Sequence, residues 1–448
     1  MTLYVRHVDG GPPPGDARFI PLIFRQPIWP FVFVTILALP LATTTFAVPH
    51  ELATNTDTAS YIENPETPSQ APLAFELKER WRLESEAPDG ELVFGAIGDV
   101  EWDTFGNIYL ADYALNTIHV LAHDGRYLRS LAAHGEGPGE VLSVEDCFLT
   151  EEGSIGIIEY NRQRITFLTA DGHPADTWTP AGFGQLHVRP LQAQQHGSSF
   201  VVACRMLEPS GNQAVLHEFL GQFTSTGELL FKYVAFSHLL DRTQDLRFDE
   251  ESLNGQRCFV VAANGDVFLS PSFLEYSVLH FNAAGTLLNR FGRTYDHFKR
   301  PQAEKDRMQT IIQAEYANYR NAIAVASDYE RDIMQLNIHD NALWIETSQG
   351  WLSNPPGVAL TMDIFDFGGH FKRQARFLGT IDSWEDSFAL GDSCAILITQ
   401  NVASQAASIA AKASYSEDSL ALNNIDAQIV ICFDLVPVCA EDSPWRSR

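Results

Sequence analysis

From residue 98 onward the chain alternates apolar and polar positions in short runs, and turns carrying Gly, Asn or Asp separate them. The apolar runs are β-branched or aromatic: Ile108-Tyr109-Leu110, Phe200-Val201-Val202, Val267-Phe268-Leu269, Leu343-Trp344-Ile345 and Ala395-Ile396-Leu397-Ile398. That composition and period predict strands. The turns are Phe105-Gly106-Asn107, Asp124-Gly125, Asp171-Gly172, Asn264-Gly265-Asp266 and Asp340-Asn341. Tight hairpins need positive φ, which Gly adopts freely and Asn or Asp tolerates. Gly106 and Gly125 are 19 residues apart, as are Gly153 and Gly172, and Gly265 and Gly285 are 20 apart. A fixed spacing of this kind marks one repeated unit of four strands. Reading on gives six units, at 98–131, 144–178, 189–234, 257–291, 333–378 and 386–435. The last lacks a fourth strand. Leu73 to Leu83 alternates and would supply it, closing a ring and hiding its edges.

The first unit runs Gly106-Asn107-Ile108-Tyr109-Leu110-Ala111-Asp112, then Asp124-Gly125-Arg126-Tyr127-Leu128-Arg129. Gly135-Glu136-Gly137-Pro138-Gly139-Glu140 follows it. Together these resemble NHL-repeat propellers, especially the exported bacterial six-bladed type. The resemblance is specific in the first unit, good in the second and fourth, and weak elsewhere. It implies an all-β fold, a six-bladed β-propeller over 73–440. The Gly-rich loop reads as a crossover between blades, because no Gly-Lys-Ser/Thr follows it to cradle a phosphate.

The long inserts, 205–214, 235–256, 298–332, 349–358 and 400–426, all fall at second turns or at crossovers, which share one face of a propeller. Elaborated loops over a rigid scaffold are where binding residues collect. The insert between blades four and five is predicted helical from Pro301 to Asp332. Met308, Ile311, Ile312, Tyr316, Tyr319 and Ile323 recur there at helical spacing. A helix lying over the mouth as a lid is expected, with a partner-binding helix as the alternative.

The N-terminus changes the picture of where this ring works. Arg18 and Arg25 precede an apolar run from Ile28 to Leu41, and Thr45-Phe46-Ala47 offers a cleavage site. Residues 1–47 are read as a signal peptide, or as an uncleaved inner-membrane anchor. An exported, periplasmic or extracellular protein is expected, with the membrane touched only through that segment. Residues 48–72 are read as a disordered linker and 441–448 as a tail. Formal net charge is −27, which disfavours nucleic acid as a partner. Six Cys follow the signal; Cys394 and Cys432 are the first candidates for a disulfide.

The expected mouth is mixed in character. Tyr113, Asn161, Arg162, Arg189, Arg257, Tyr276 and Trp351 are candidate ligand-binding residues, suited to a protein, peptide or glycan. Asp99, Glu101, Asp146 and Glu159 are a candidate oxygen set for calcium, as resemblance to gluconolactonase-like propellers implies. Amidating lyases of this architecture need a His-based zinc site, and no three-His set falls on the inner strands. The leading expectation is therefore a binding scaffold without a cofactor, and the alternative a metal-dependent lyase or lactonase-type enzyme at the tunnel mouth.

Overall fold

The computed structural model describes residues 60–84, 94–159, 162–241, 243–253, 255–317, 319, 321–406 and 428–438. Residues 1–47, 48–59, Asn161, most of the 400–426 insert, Cys439 and the 441–448 tail lie outside the described residues.

The strands appear in chain order as β1 (Tyr61–Asn64), β2 (Leu73–Glu84) and then the first quartet: β3 (Ile97–Trp102), β4 (Ile108–Asp112), β5 (Thr117–Leu121) and β6 (Tyr127–Leu131). A short pair, β7 (Ala133–His134) and β8 (Glu140–Val141), closes the Gly-rich crossover. There the Glu140 carboxylate accepts the Gly137 N–H at 2.7 Å, so the loop binds itself. The second quartet is β9 (Asp146–Leu149), β10 (Ile155–Glu159), β11 (Arg164–Leu168) and β12 (Pro174–Trp178). The third is β13 (Val188–His196), β14 (Ser199–Ser210), β15 (Gln213–Thr224) and β16 (Leu229–Asp241), followed by β17 (Leu246–Asp249). The fourth is β18 (Phe259–Val261), β19 (Val267–Leu269), β20 (Ser277–Phe281) and β21 (Leu287–Arg293). Helix α1 (Gln302–Glu315) and β22 (Ala322–Val325) come next. Then follow β23 (Ile333–His339), β24 (Ala342–Thr347), α2 (Ser348–Leu352), β25 (Val358–Phe365), β26 (Phe371–Leu378), β27 (Ser387–Leu390), β28 (Cys394–Ile398) and β29 (Ile429–Pro437).

The fold is an all-β propeller. Four quartets stand as separate blades, the fourth extended by β1. Two short pairs, β7-β8 and β17-β22, stand apart, and the other strands form one eight-stranded sheet, β23-β24-β25-β26-β2-β29-β28-β27. Within it, β2 pairs antiparallel with β29 from Phe75↔Pro437 to Glu84↔Ile429, and parallel with β26 over Leu73–Glu76.

Apolar side chains alternate to both faces of each blade, so successive blades pack through shared cores. Tyr109 and Ile118 meet Val144 and Ile157 between blades one and two, and Phe148 and Phe167 meet Phe200 and Phe223 between two and three. Ala203 and Tyr233 meet Phe259 and Phe281, and Phe268 and Phe291 meet Leu343 and Phe365. Trp344 and Phe377 meet Leu397 and Ile431. Finally Ile396 and Cys432 meet Ile108 and Leu121 of blade one, with Trp81 of β2 packed alongside. The Trp81 indole donates to the His123 carbonyl at 3.1 Å and covers Gly125, where a Cβ would lie 2.6 Å from the ring.

Three expectations need correction. Residues 60–72 are not all spacer, because Tyr61–Asn64 pairs parallel with β21. The Asn64 amide is buried and donates to Gly292 O (3.0 Å) and Gly369 O (2.9 Å), while its oxygen accepts the Phe371 N–H (2.8 Å). Four alternating residues are too few to stand out in a polar stretch; their partners lie over two hundred residues away. The 205–214 insert is not a loop but a hairpin extension, with β14 and β15 paired from Ser199↔Thr224 to Ser210↔Gln213. The helix after Pro301 ends at Glu315, and Ala322–Val325 instead pairs with β17, leaving Ile323 exposed. Among the described residues no helix is long and apolar enough to cross a membrane.

Candidate functional site

Strand β3 contributes Asp99 and Glu101, and β9 opens on Asp146. Tyr113 follows β4, and Arg257 precedes β18. Asp99, Glu101, Asp146 and Tyr113 lie deep in the protein while keeping some solvent contact, and Arg257 is exposed. Their charges act on one another, which brings blades one, two and four to one space.

Burial raises the Asp99 carboxyl above its usual range, although the Val100 N–H donates to it at 2.9 Å. Burial pushes Glu101 well up, and Asp99 adds to the effect. Asp146 is pushed well up by burial and then by Asp99, with Arg257 pulling the other way. Burial likewise lifts the Tyr113 phenol, reinforced by Asp99 and Asp146 and opposed by Arg257. The Cys147 thiol faces Asp99 Oδ2 at 3.6 Å and is pushed up by burial and by all three carboxylates. Like charges in a poorly solvated place disfavour ionisation.

The structure thus brings together Asp99, Glu101 and Asp146 from the oxygen set, and Tyr113 and Arg257 from the ligand set. Glu159, Arg162, Tyr276 and Trp351 are placed elsewhere. Glu159 ends β10 and points back into its own blade, where it accepts from Arg164 Nε (2.7 Å), Thr166 Oγ1 (2.6 Å) and the Leu142 N–H (3.1 Å). Arg162 lies against Glu136 (3.4 Å) and Glu159 (3.7 Å). Arg189 is half-buried on β13, opposite Arg205 in register. Tyr276 is buried; its hydroxyl donates to Asp363 Oδ2 at 2.8 Å, and Arg293 lies over its ring at 4.6 Å. The Trp351 indole is buried and donates to the Ser383 carbonyl at 2.5 Å. Tyr276 and Trp351 are therefore structural, not mouth residues. Among the described residues no group of three or more His, Cys, Asp or Glu is arranged to hold a metal ion. Without Glu159, the proposed calcium set does not assemble.

Cys394 and Cys432 carry free thiols. The antiparallel register sets Cys394 opposite Asp434 and Cys432 opposite Ile396, so the two are diagonal and not directly across. They lie close enough to hydrogen-bond, and that bond, with Trp102 and Arg80 nearby, lowers Cys394 to about 7.

Helix α1 is tied at two places. Arg307 donates to Glu385 and to the Trp384 carbonyl (2.8 Å), in the segment before β27. At its other end Tyr316 stacks on Phe248 at 4.1 Å, and Arg205 of β14 donates to the Tyr316 hydroxyl at 3.3 Å.

Sequence reasoning missed Gln256, Ser270, Arg331 and Glu346. Gln256, Ser270 and Glu346 are buried, and each has a polar side-chain atom with no partner among the described residues, as does Arg331. One signal was available: Arg331 stands two residues before β23, as Arg257 stands two before β18.

A family model described as a 6-bladed beta-propeller matches residues 87–177. No curated protein matches the chain. Among solved structures, a Bacteroides fragilis protein described as exported is similar at 10% identity and TM-score 0.43, covering 83% of this chain and 99% of that one. A DUF4221-family member from Bacteroides vulgatus has 10% identity and TM-score 0.45, with 81% and 99% covered. A streptogramin B lyase has 11% identity and TM-score 0.36, with 83% and 96% covered.

Proposed function

We propose that the chain is an exported six-bladed propeller of NHL-like repeats that binds a cation-bearing ligand, of peptide type, at its mouth. Six interblade cores in a cycle support the blade count, with β2 completing the final blade. The α1 insert between blades four and five serves as a lid, held by Arg307 on one side and Arg205 on the other.

One observation carries the ligand class. Asp99, Glu101 and Asp146 act on one another, and of the three only Asp146 feels Arg257. An ammonium or guanidinium group entering there would gain charge-assisted hydrogen bonds and relieve the mutual repulsion. Tyr113 would offer its ring face to the same cation. This is a binding role without a chemical step, and residues 1–47, read as a signal peptide or an inner-membrane anchor, support a site in the periplasm or outside the cell.

Calorimetric titration with tri-alanine tests it. Binding should be weakened tenfold or more by N-acetylation of the peptide and by Asp146→Asn. Equal binding of the acetylated peptide would overturn the reading. Stoichiometric calcium binding that is lost in Asp146→Asn would favour the metal-dependent lyase or lactonase alternative instead.

A further inference from the structure

Cys394 opens β28 and Cys432 lies on β29, and both carry free thiols. Asp434 stands opposite Cys394 and Ile396 opposite Cys432, so the two sulfurs share one face of the sheet on a diagonal. They are within hydrogen-bonding reach. The Cys432 S–H donates to Cys394, which lowers the Cys394 thiol and raises that of Cys432. The other described thiols behave differently: burial pushes Cys147, Cys204 and Cys258 up.

Two further groups favour a charged sulfur at Cys394. The register of β2 on β29 breaks between Glu79 and Trp81, and Arg80 falls at that break. Its guanidinium donates to Asp434 Oδ1 at 2.6 Å and also lowers Cys394. The buried Trp102 indole N–H finds no oxygen or nitrogen to donate to among the described residues, and it too lowers Cys394. Gly391 makes this approach possible. A Cβ there would lie 2.9 Å from the Trp102 ring, and the Gly391 N–H donates to the Cys394 carbonyl at 2.9 Å. A thiol accepts such donors weakly and a thiolate strongly. The group also reaches the surface: Cys394 is 5% exposed, and the Arg80 and Asp434 side chains beside it are 28% and 40% exposed. Exposed ion pairs add little to stability, so this one parts readily.

We propose that Cys394 and Cys432 form a thiol–disulfide exchange site, with Cys394 attacking, Cys432 resolving, and Arg80 and Trp102 holding the attacking thiolate. The oxidant is a low-molecular-weight disulfide. The Cys394 thiolate attacks one of its sulfurs and the S–S bond breaks. One half leaves as a thiolate and takes up a proton; the other stays on Cys394 as a mixed disulfide. Cys432 then gives up its proton and attacks the Cys394 sulfur, expelling the second half as a thiol. The two cysteines lose two electrons, and the small disulfide gains them as it becomes two thiols. The new bond joins β28 to β29, the strand that pairs with β2. Oxidation therefore tightens the seam at which the early strand meets the late one.

The test treats the full-length protein, reduced beforehand, with glutathione disulfide and locates the products by peptide mapping. Wild type should gain a Cys394–Cys432 disulfide and melt at a higher temperature. Cys432→Ser should stop at a glutathione adduct on Cys394, and Cys394→Ser should leave Cys432 unmodified. Arg80→Met should move the pH midpoint of the reaction upward and slow it about tenfold at neutral pH; a purely structural arginine would leave the midpoint in place. Melts report whether a variant has unfolded, and if Cys432→Ser has, the disulfide in wild type still decides. A pair that stays reduced in the folded wild type, while the denatured chain reacts, would overturn the exchange site. An adduct on Cys432 in preference to Cys394 would overturn the roles assigned to the two sulfurs.

Discussion

Asp112 and Asp146 are both buried carboxylates on neighbouring blades, and their surroundings differ sharply. Asp112 closes β4 and accepts the N–H groups of Gly95 (2.6 Å), Ala96 (3.1 Å), Ala114 (3.0 Å) and Leu115 (2.9 Å), with His119 at 3.4 Å. Burial alone would raise it, but His119 and the backbone donors hold it below its ordinary value. Asp146 shares its wall with Asp99 and Glu101, and burial with their charge pushes it well up. One carboxylate is a fastener whose every lone pair is used inside the protein. The other keeps capacity that the fold does not consume. Burial alone does not set the pKa of such an acid; the supply of donors and the charge of its neighbours do.

The largest expected effect breaks the fastener. Asp112→Ala strands four buried N–H donors and should cost about 3–5 kcal/mol in urea unfolding. If Asp146→Ala costs as much, the contrast fails. Glu346 comes next. Burial pushes it up to about 8 from an ordinary 4.5. A carboxyl that holds its proton more tightly when folded loses folding free energy as pH rises from the unfolded value to the folded one. Stability should therefore fall between about pH 4.5 and 8, by up to about 4 kcal/mol from this group. Glu346→Gln should flatten that slope in melts taken across the range, and an unchanged slope would count against it. Asp146→Asn should add about 1 kcal/mol of stability at pH 8 by relieving repulsion, while weakening the peptide. Cys394→Ala, remote from both carboxylate sets, should shift stability by less than about 1.5 kcal/mol if the thiols are free. A loss of about 2–5 kcal/mol would mean the pair is bonded after all.

Much of this architecture was readable because it rests on local chemistry. Gly106, Gly125, Gly153, Gly172, Gly265 and Gly285 all adopt positive φ at the turns where their spacing put them. Leu73–Glu84 alternates strongly enough to reveal the strand paired with β29. Asp99, Glu101 and Asp146 fall on the first strands of their units, β3 and β9, as strand order within each repeat implied. What failed depended on distant partners. Tyr276 and Trp351 look like loop aromatics until Asp363, 87 residues on, and Ser383, 32 residues on, bury them. Glu159 resembles a mouth carboxylate in sequence, but its position at the end of β10 aims it at Arg164 and Thr166. Cys394 and Cys432 are neighbours, as expected, but diagonal in register with free thiols, and register depends on exact strand alignment that composition does not reveal.

The strand β2 has a consequence for how this protein comes into being. Phe75 pairs with Pro437 and Glu84 with Ile429, so β2 must wait for a strand made hundreds of residues later. Until then β2 has only its short parallel pairing with β26, over Leu73–Glu76, and the ring can be wound but not locked. Contacts of such sequence separation form slowly and leave edges open to aggregation in the interval. A chain leaving the ribosome is thus held in an open state until β29 emerges. Any truncation that removes β29 should yield a protein that stays in that state, prone to capture by chaperones and proteases.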